Sequence, residues 1–287
     1  MVYFCLEFPT KYKMLPFIKK KTNSENESEM SFLDHIDALR KHLFRAAVYI
    51  VIIMIVVFLH KKFVFDQIIL SPLHEEFVTY QFFCNLSPIT CFKPGKLEVF
   101  TRELSEQLTI HLKVSFFLSI VLAFPLLFRE LWLFIKPGLY QKEQKVTRGV
   151  VLVCSLLFYT GVAFGYFVIA PFSISFLASY TVSESIQNTT TLSSYVDSLA
   201  MFSLLTGIVF EMPLAIFFLA KLGIISATFM RTYRRYAIVI ISIVAAVITP
   251  PDLTSMFMVT LPLLLLYELS IYVAARAYPK ENPVIND

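Results

Sequence analysis

Residues 199–222 read LAMFSLLTGIVFEMPLAIFFLAKL, an apolar run with one acid, Glu211, and no other charge before Lys221. At 1.5 Å per residue, a helix of this length crosses the hydrocarbon core of a bilayer. A charged side chain at that depth costs roughly 2.5–3.5 kcal/mol on insertion scales, so it is kept where it faces other helices, a partner or a wet cavity. The run therefore predicts a membrane helix with a functional acid, and Pro213 follows that acid by two residues.

The chain as a whole is also strongly apolar. Of its 287 residues, 57% are hydrophobic, 29 are Phe and only 16% are charged, which excludes an ordinary soluble domain and favours a polytopic helical membrane protein. Apolar segments of membrane-spanning character occur six times, the fifth of them short. They cover residues 43–59, 108–128, 150–170, 199–220, 237–249 and 255–275.

Basic residues indicate the orientation of these spans. Lys and Arg number eight in residues 1–45, five in 129–148 and four in 221–235, whereas residues 171–194 and 250–252 carry none. The positive-inside rule then places both termini and the two basic loops in the cytoplasm. Because the positive charge clusters at span ends, it does not indicate nucleic-acid binding.

The chain divides into three predicted parts. We expect residues 1–30 to be a disordered extension, and if Met30 is the start, residues 1–29 are not translated. Residues 31–277 form the membrane domain and residues 278–287 a short cytoplasmic tail. The domain opens with SFLDHIDALRKHL at 31–43, an amphipathic helix that would be either a headgroup-level anchor or a docking surface.

The cysteines, and the absence of catalytic and metal-binding motifs, limit the chemistry that this sequence predicts. Cys84 and Cys91 share the first outer loop, where they would form a disulfide or remain free thiols, and we favour the disulfide. Cys154 lies in a span and is expected to be a packed small hydrophobe. The sequence has no metal-ligand spacing, nucleotide loop or nucleophile motif, so we predict no metal, no cofactor and no enzymatic activity.

Seven short motifs, in order along the chain, resemble one family, the TatC subunit of the twin-arginine protein translocase. They are DHIDALRKHL, SPL, AFP with LWLFIKPGLYQKE, FEMP, RRY, TPPD and LPLLLLYE. The resemblance implies an all-α bundle of six spans with a concave, glove-like shape in the bacterial inner membrane. It also implies a receptor that binds twin-arginine signal peptides of folded proteins at the cytoplasmic face. Implied partners are TatA/TatB-type single-span proteins, lipids and further copies of the chain, with no nucleic acid, and the proton-motive force would drive export.

The resemblance also implies a signal-binding site. Two family carboxylates receive the arginines of the signal; one corresponds to Glu143, but Ala38 stands where the other is expected. Asp37, one residue earlier, could replace it after a small helix rotation, and Arg40 would hold this helix and the loop by pairing with an acid. Positions expected to contact the apolar part of the signal are Phe134, Pro137, Leu139 and Tyr140.

The remaining matches are an intramembrane site and structural residues. Glu211, with Pro213, would offer a polar site to a partner helix, or would be protonated and satisfied inside the bundle. The structural residues are Pro72, Pro250, Pro251 and Asp252, the last three forming a tight hairpin with Asp252 capping the next helix. An alternative function is a proton- or ion-coupled small-solute transporter that uses Glu211 and Glu268. An intramembrane enzyme is disfavoured.

Overall fold

The computed structural model describes residues 32–86, 91–95, 97–135, 149–181, 183, 188–249 and 253–277. These residues form a helical membrane bundle of six spans, as the sequence predicts. Five of the helices are long and apolar enough to cross a membrane, and the fifth span, at 15 residues, is shorter, as expected. In order, the spans are Phe32–Leu59, Glu106–Ile135, Val150–Ser179, Leu192–Lys221, Arg234–Ile248 and Leu253–Ala277.

Prolines explain two irregular turns. The third span passes from Val150–Phe164 through a π-helical turn, Gly165–Ile169, into Ala170–Ser179. Pro171 cannot donate to the Phe167 carbonyl four residues back, and the Thr79 hydroxyl donates to it instead. The fourth span is interrupted at Glu211, two residues before Pro213, and continues as Met212–Lys221.

The spans pack in a defined order. The first packs chiefly on the second, the second on the third and fourth, the fourth on the sixth, and the fifth on the sixth. The third and fourth approach closely because glycines face each other: a Cβ on Gly161 would lie 2.8 Å from the Cα of Gly207. Thr206 also donates from Oγ1 to the Gly161 carbonyl at 3.0 Å. This contact fixes the position of the helix that carries Glu211.

Two loops form a cap at one end of the bundle. The first loop contains the helix Val78–Leu86 and the strand β1, Glu98–Phe100, which pairs in parallel with β2, Thr189–Thr191. A disulfide joins Cys84 to Cys91 within it. Three tyrosines donate to backbone carbonyls of the irregular segment 64–73: the buried Tyr80 to Pro72 at 2.9 Å, the half-buried Tyr166 to Ile68 at 2.6 Å and the buried Tyr195 to Ile69 at 2.7 Å.

Several helices extend beyond the predicted apolar segments. The second span continues to Ile135 and not only to residue 128, because Leu131–Ile135 is apolar and nothing stops a helix before Pro137. The third and fourth spans likewise include residues to Ser179 and from Leu192. The amphipathic segment at 32–43 runs into the first span as one uninterrupted helix.

Candidate functional site: the basic end of the bundle and a half-satisfied intramembrane acid

The first span begins beside the end of the second, and we call this part of the molecule the basic end. A buried acid joins the two helices there. Glu130 is 3% exposed and its Oε2 lies 2.7 Å from Nδ1 of His42. Two guanidinium nitrogens also lie near this carboxylate, that of Arg45 at 3.9 Å and that of Arg129 at 4.0 Å. The short distance between these two atoms is that of a hydrogen bond that joins the two helices.

An aromatic side chain lies beside this pair. Phe134 follows Glu130 by one helical turn on the second span, so both side chains occupy the same helix face. The rings of His42 and Phe134 meet edge to face, with centroids 6.5 Å apart. The structure therefore places Phe134, a predicted signal contact, next to the helix that carries Asp37 and Arg40.

Asp37 and Arg40 are both exposed on the first span, whereas Ala38 is half-buried. Neither charged side chain forms an ion pair within the described ranges. The pairing predicted for Arg40 with the following loop stays a prediction because residues 136–148 lie outside the described part of the chain. The predicted residues outside it are Pro137, Leu139, Tyr140, Glu143, Pro250, Pro251 and Asp252.

Glu211 lines a cavity of about 260 Å³ between the second and fourth spans. Its Oε2 accepts a hydrogen bond from the Cys154 thiol at 3.0 Å. Its Oε1 is buried without a hydrogen-bond partner among the described residues, and the same holds for Nζ of Lys221, which lines the same cavity. Trp132 is buried in this wall. The cavity thus combines apolar walls with one unused acceptor and one unused donor.

Two further residues singled out in the sequence, Glu268 and Pro72, contact other parts of the protein. Glu268 pairs with Arg234 of the fifth span, with Oε2 2.8 Å from Nη2. Pro72 is buried beneath Tyr80 at the opposite end of the bundle, and burial raises the pKa of the Tyr80 phenol. In the described residues no cluster of His, Cys, Asp and Glu could hold a metal ion.

Comparison with known proteins agrees with this architecture. The family model described as Sec-independent protein translocase protein (TatC) matches residues 34–262. The chain belongs to the TatC family. The TatC protein of Blattabacterium from Periplaneta americana is 38% identical over 86% of this chain and 96% of its own length. The TatCy protein of Bacillus subtilis is 34% identical over 88% and 92%.

A solved structure supports the same conclusion. The crystal structure of the twin-arginine translocase receptor TatC is 28% identical, covers 85% of this chain and 99% of that chain, and superposes with a TM-score of 0.66. The resemblance to TatC and the six-span all-α fold are therefore confirmed. TatC proteins are translocase components, so the chain is a membrane protein of protein transport and not an enzyme.

Sequence reasoning missed two features of this TatC-family protein. Glu130 lies beyond the predicted end of the second span at residue 128, yet it is an acid in an apolar helical run, the same signal that drew attention to Glu211. Cys154 was expected only to pack, but its thiol is a hydrogen-bond donor to Glu211. No local pattern links His42 to Glu130, since 88 residues separate them.

Proposed function

We propose that this TatC-family protein is the core receptor of a twin-arginine translocase and binds the signal peptides of folded proteins at its basic end. One observation carries the proposal: the contact between His42 and Glu130 brings the helix of Asp37 and Arg40 against the end of the second span. The loop that contains Glu143 follows directly after that end. The first helix therefore lies beside Leu131–Ile135, the described start of the second recognition motif.

The chemistry of these residues suits arginine recognition. A guanidinium group pairs with a carboxylate through two parallel hydrogen bonds, a geometry that the lysine ammonium cannot match. Glu143 would receive one arginine of the signal, and Asp37, exposed on the first helix, would receive the other in place of the missing acid at Ala38. Phe134, Pro137, Leu139 and Tyr140 would contact the apolar part of the signal.

Glu211 would act at a later stage, in partner recruitment. Its second carboxyl oxygen is buried and unused among the described residues, and it lies in a wall of apolar side chains. A polar group on a TatA/TatB-type single-span helix could bond to it, which would specify the register of the two helices more than the affinity. Assembly with such helices, lipids and further copies of this chain would prepare export driven by the proton-motive force.

The distribution of Lys and Arg supports a cellular location and an orientation in the membrane. Basic residues concentrate where the first span begins and where the second ends, which supports an inner-membrane protein with both termini in the cytoplasm. The loop with the Cys84–Cys91 disulfide leaves the bundle at the opposite end, and such a bond persists in an oxidising periplasm.

Complementation tests the proposal. A bacterial strain that lacks its own TatC receives this chain together with its cognate single-span subunits, and a folded reporter with a twin-arginine signal is followed by cell fractionation. We expect export with twin arginines and none with twin lysines. If the chain is stably inserted with its matched partners and the twin-arginine reporter stays inside, the proposed function is wrong.

A further inference from the structure

We propose that His42 and Glu130 form a positioning pair that holds the signal-binding helix in its binding pose. The pair does not contact the signal; it sets the rotation of the first helix relative to Phe134 and to the loop that follows. The inference rests on the proposed signal-binding function and adds two positioning residues to that site.

The pair is a short and largely buried polar contact between the first and second spans. Glu130 is almost fully buried, with 4% of its side chain exposed, while His42 retains 20%. A buried carboxylate must be paired, and here the nearest partner, His42, comes from the other helix. Arg45 adds a second cation from that helix, and Arg129 one from the second span. Removing the partner of such a group costs far more than losing an exposed pair.

The orientation of the first span depends on the His42–Glu130 pair because this span packs chiefly on the second span. Its apolar side chains at the basic end, Ile36, Leu39 and Leu43, remain largely exposed. The polar contact between His42 and Glu130 opposes rotation of the first helix about its axis, and each residue step corresponds to about 100°. A rotation of the first helix would therefore change the direction in which Asp37 projects.

Because Ala38 stands where the family has an acid, the contact between His42 and Glu130 becomes more important. Ala38 precedes His42 by one helical turn and so lies on the same helix face, but its methyl group cannot form a polar contact. In the described structure His42 makes the short polar contact that this face directs at the second span. Buried polar pairs of this kind define register more than they add stability.

Peptide binding to the whole protein in lipid nanodiscs tests the inference. A fluorescent twin-arginine peptide is titrated against wild type, His42→Leu, His42→Gln, Glu130→Gln and the exchange variant His42→Glu with Glu130→His. We expect His42→Leu and Glu130→Gln each to weaken binding about tenfold, the effect of losing one hydrogen bond to a charged group. His42→Gln keeps a donor and should retain most of the affinity, and the exchange variant should recover it.

A second readout separates positioning from general damage. A photo-crosslinker next to the arginines of the peptide reports which helix it touches, and we expect the ratio of first-span to second-span products to change in His42→Leu and to return in the exchange variant. Unchanged affinity and ratio in both single variants would overturn the inference. So would loss in the single variants without recovery on exchange, because the residues would then act separately. If wild type does not prefer twin arginine to twin lysine, the proposed function fails instead.

Discussion

Cys154 of the third span donates to Glu211 of the fourth, with Sγ 3.0 Å from Oε2. The bundle thereby satisfies one carboxyl oxygen and leaves the other, Oε1, buried without a partner among the described residues. A buried acceptor without a partner costs about 1–3 kcal/mol, and such a group is retained where something else bonds to it. This half-satisfied acid is what supports a partner-facing role for Glu211.

Replacing Glu211 by Leu should therefore weaken recruitment of the single-span subunits. Loss of one interhelical hydrogen bond, worth about 0.6–2 kcal/mol, predicts a reduction of about three- to thirtyfold in co-purified partner. Glu211→Gln keeps a polar group and should retain most of the partner. Glu268→Gln is the matched control, since that acid is already paired with Arg234. Equal recovery of partner with Glu211→Leu and wild type would remove Glu211 from the interface.

Glu143→Ala should reduce photo-crosslinking of a twin-arginine peptide by about tenfold, because a charge-assisted bidentate pair with a signal arginine is lost. Gln144→Ala, the next residue in the same loop, controls for general effects on the loop. Crosslinking yield in membrane vesicles is the measurement. If Glu143→Ala crosslinks as well as Gln144→Ala, then Glu143 does not receive the signal.

Asp37→Asn should impair export more than Ala38→Ser does. Asparagine keeps the shape but lacks the charge that an arginine requires, whereas serine at the half-buried neighbour removes no charge. Export of a folded reporter, normalised to the amount of inserted protein, is the measurement. Similar export by the two variants would mean that Asp37 is not the replacement carboxylate.

The membrane architecture could be predicted from local pattern because each span is an apolar run. The buried pair of His42 and Glu130 could not, because its partners are distant in sequence and hydropathy is a local quantity. The predicted end of the second span at residue 128 also left Glu130 outside that span. Only the continued helix to Ile135 places it inside the bundle.

Gly165→Ala should destabilise the bundle. An added Cβ would clash with the Phe202 carbonyl oxygen, so the third and fourth spans must separate. Such overpacking costs about 1–3 kcal/mol, and thermal unfolding in detergent should show a lower midpoint. Ala47→Val adds bulk at an exposed position of the first span and should leave the midpoint unchanged. An unaltered midpoint for Gly165→Ala would mean that the glycine contact does not limit how closely these spans pack.

The disulfide between Cys84 and Cys91 provides a test of orientation. In intact spheroplasts, a membrane-impermeant maleimide should label these cysteines only after treatment with an impermeant reductant, because the thiols are paired and the loop is proposed to face outward. All samples carry Cys5→Ala, which removes the remaining cysteine outside the loop and the spans; in this background a Cys84→Ala, Cys91→Ala double variant should give no label, since Cys154 is buried in a span. Labelling without reductant would show free thiols. If reduced samples are labelled only in inverted vesicles, the loop faces the cytoplasm, and the signal-binding end proposed here would lie on the wrong side of the membrane.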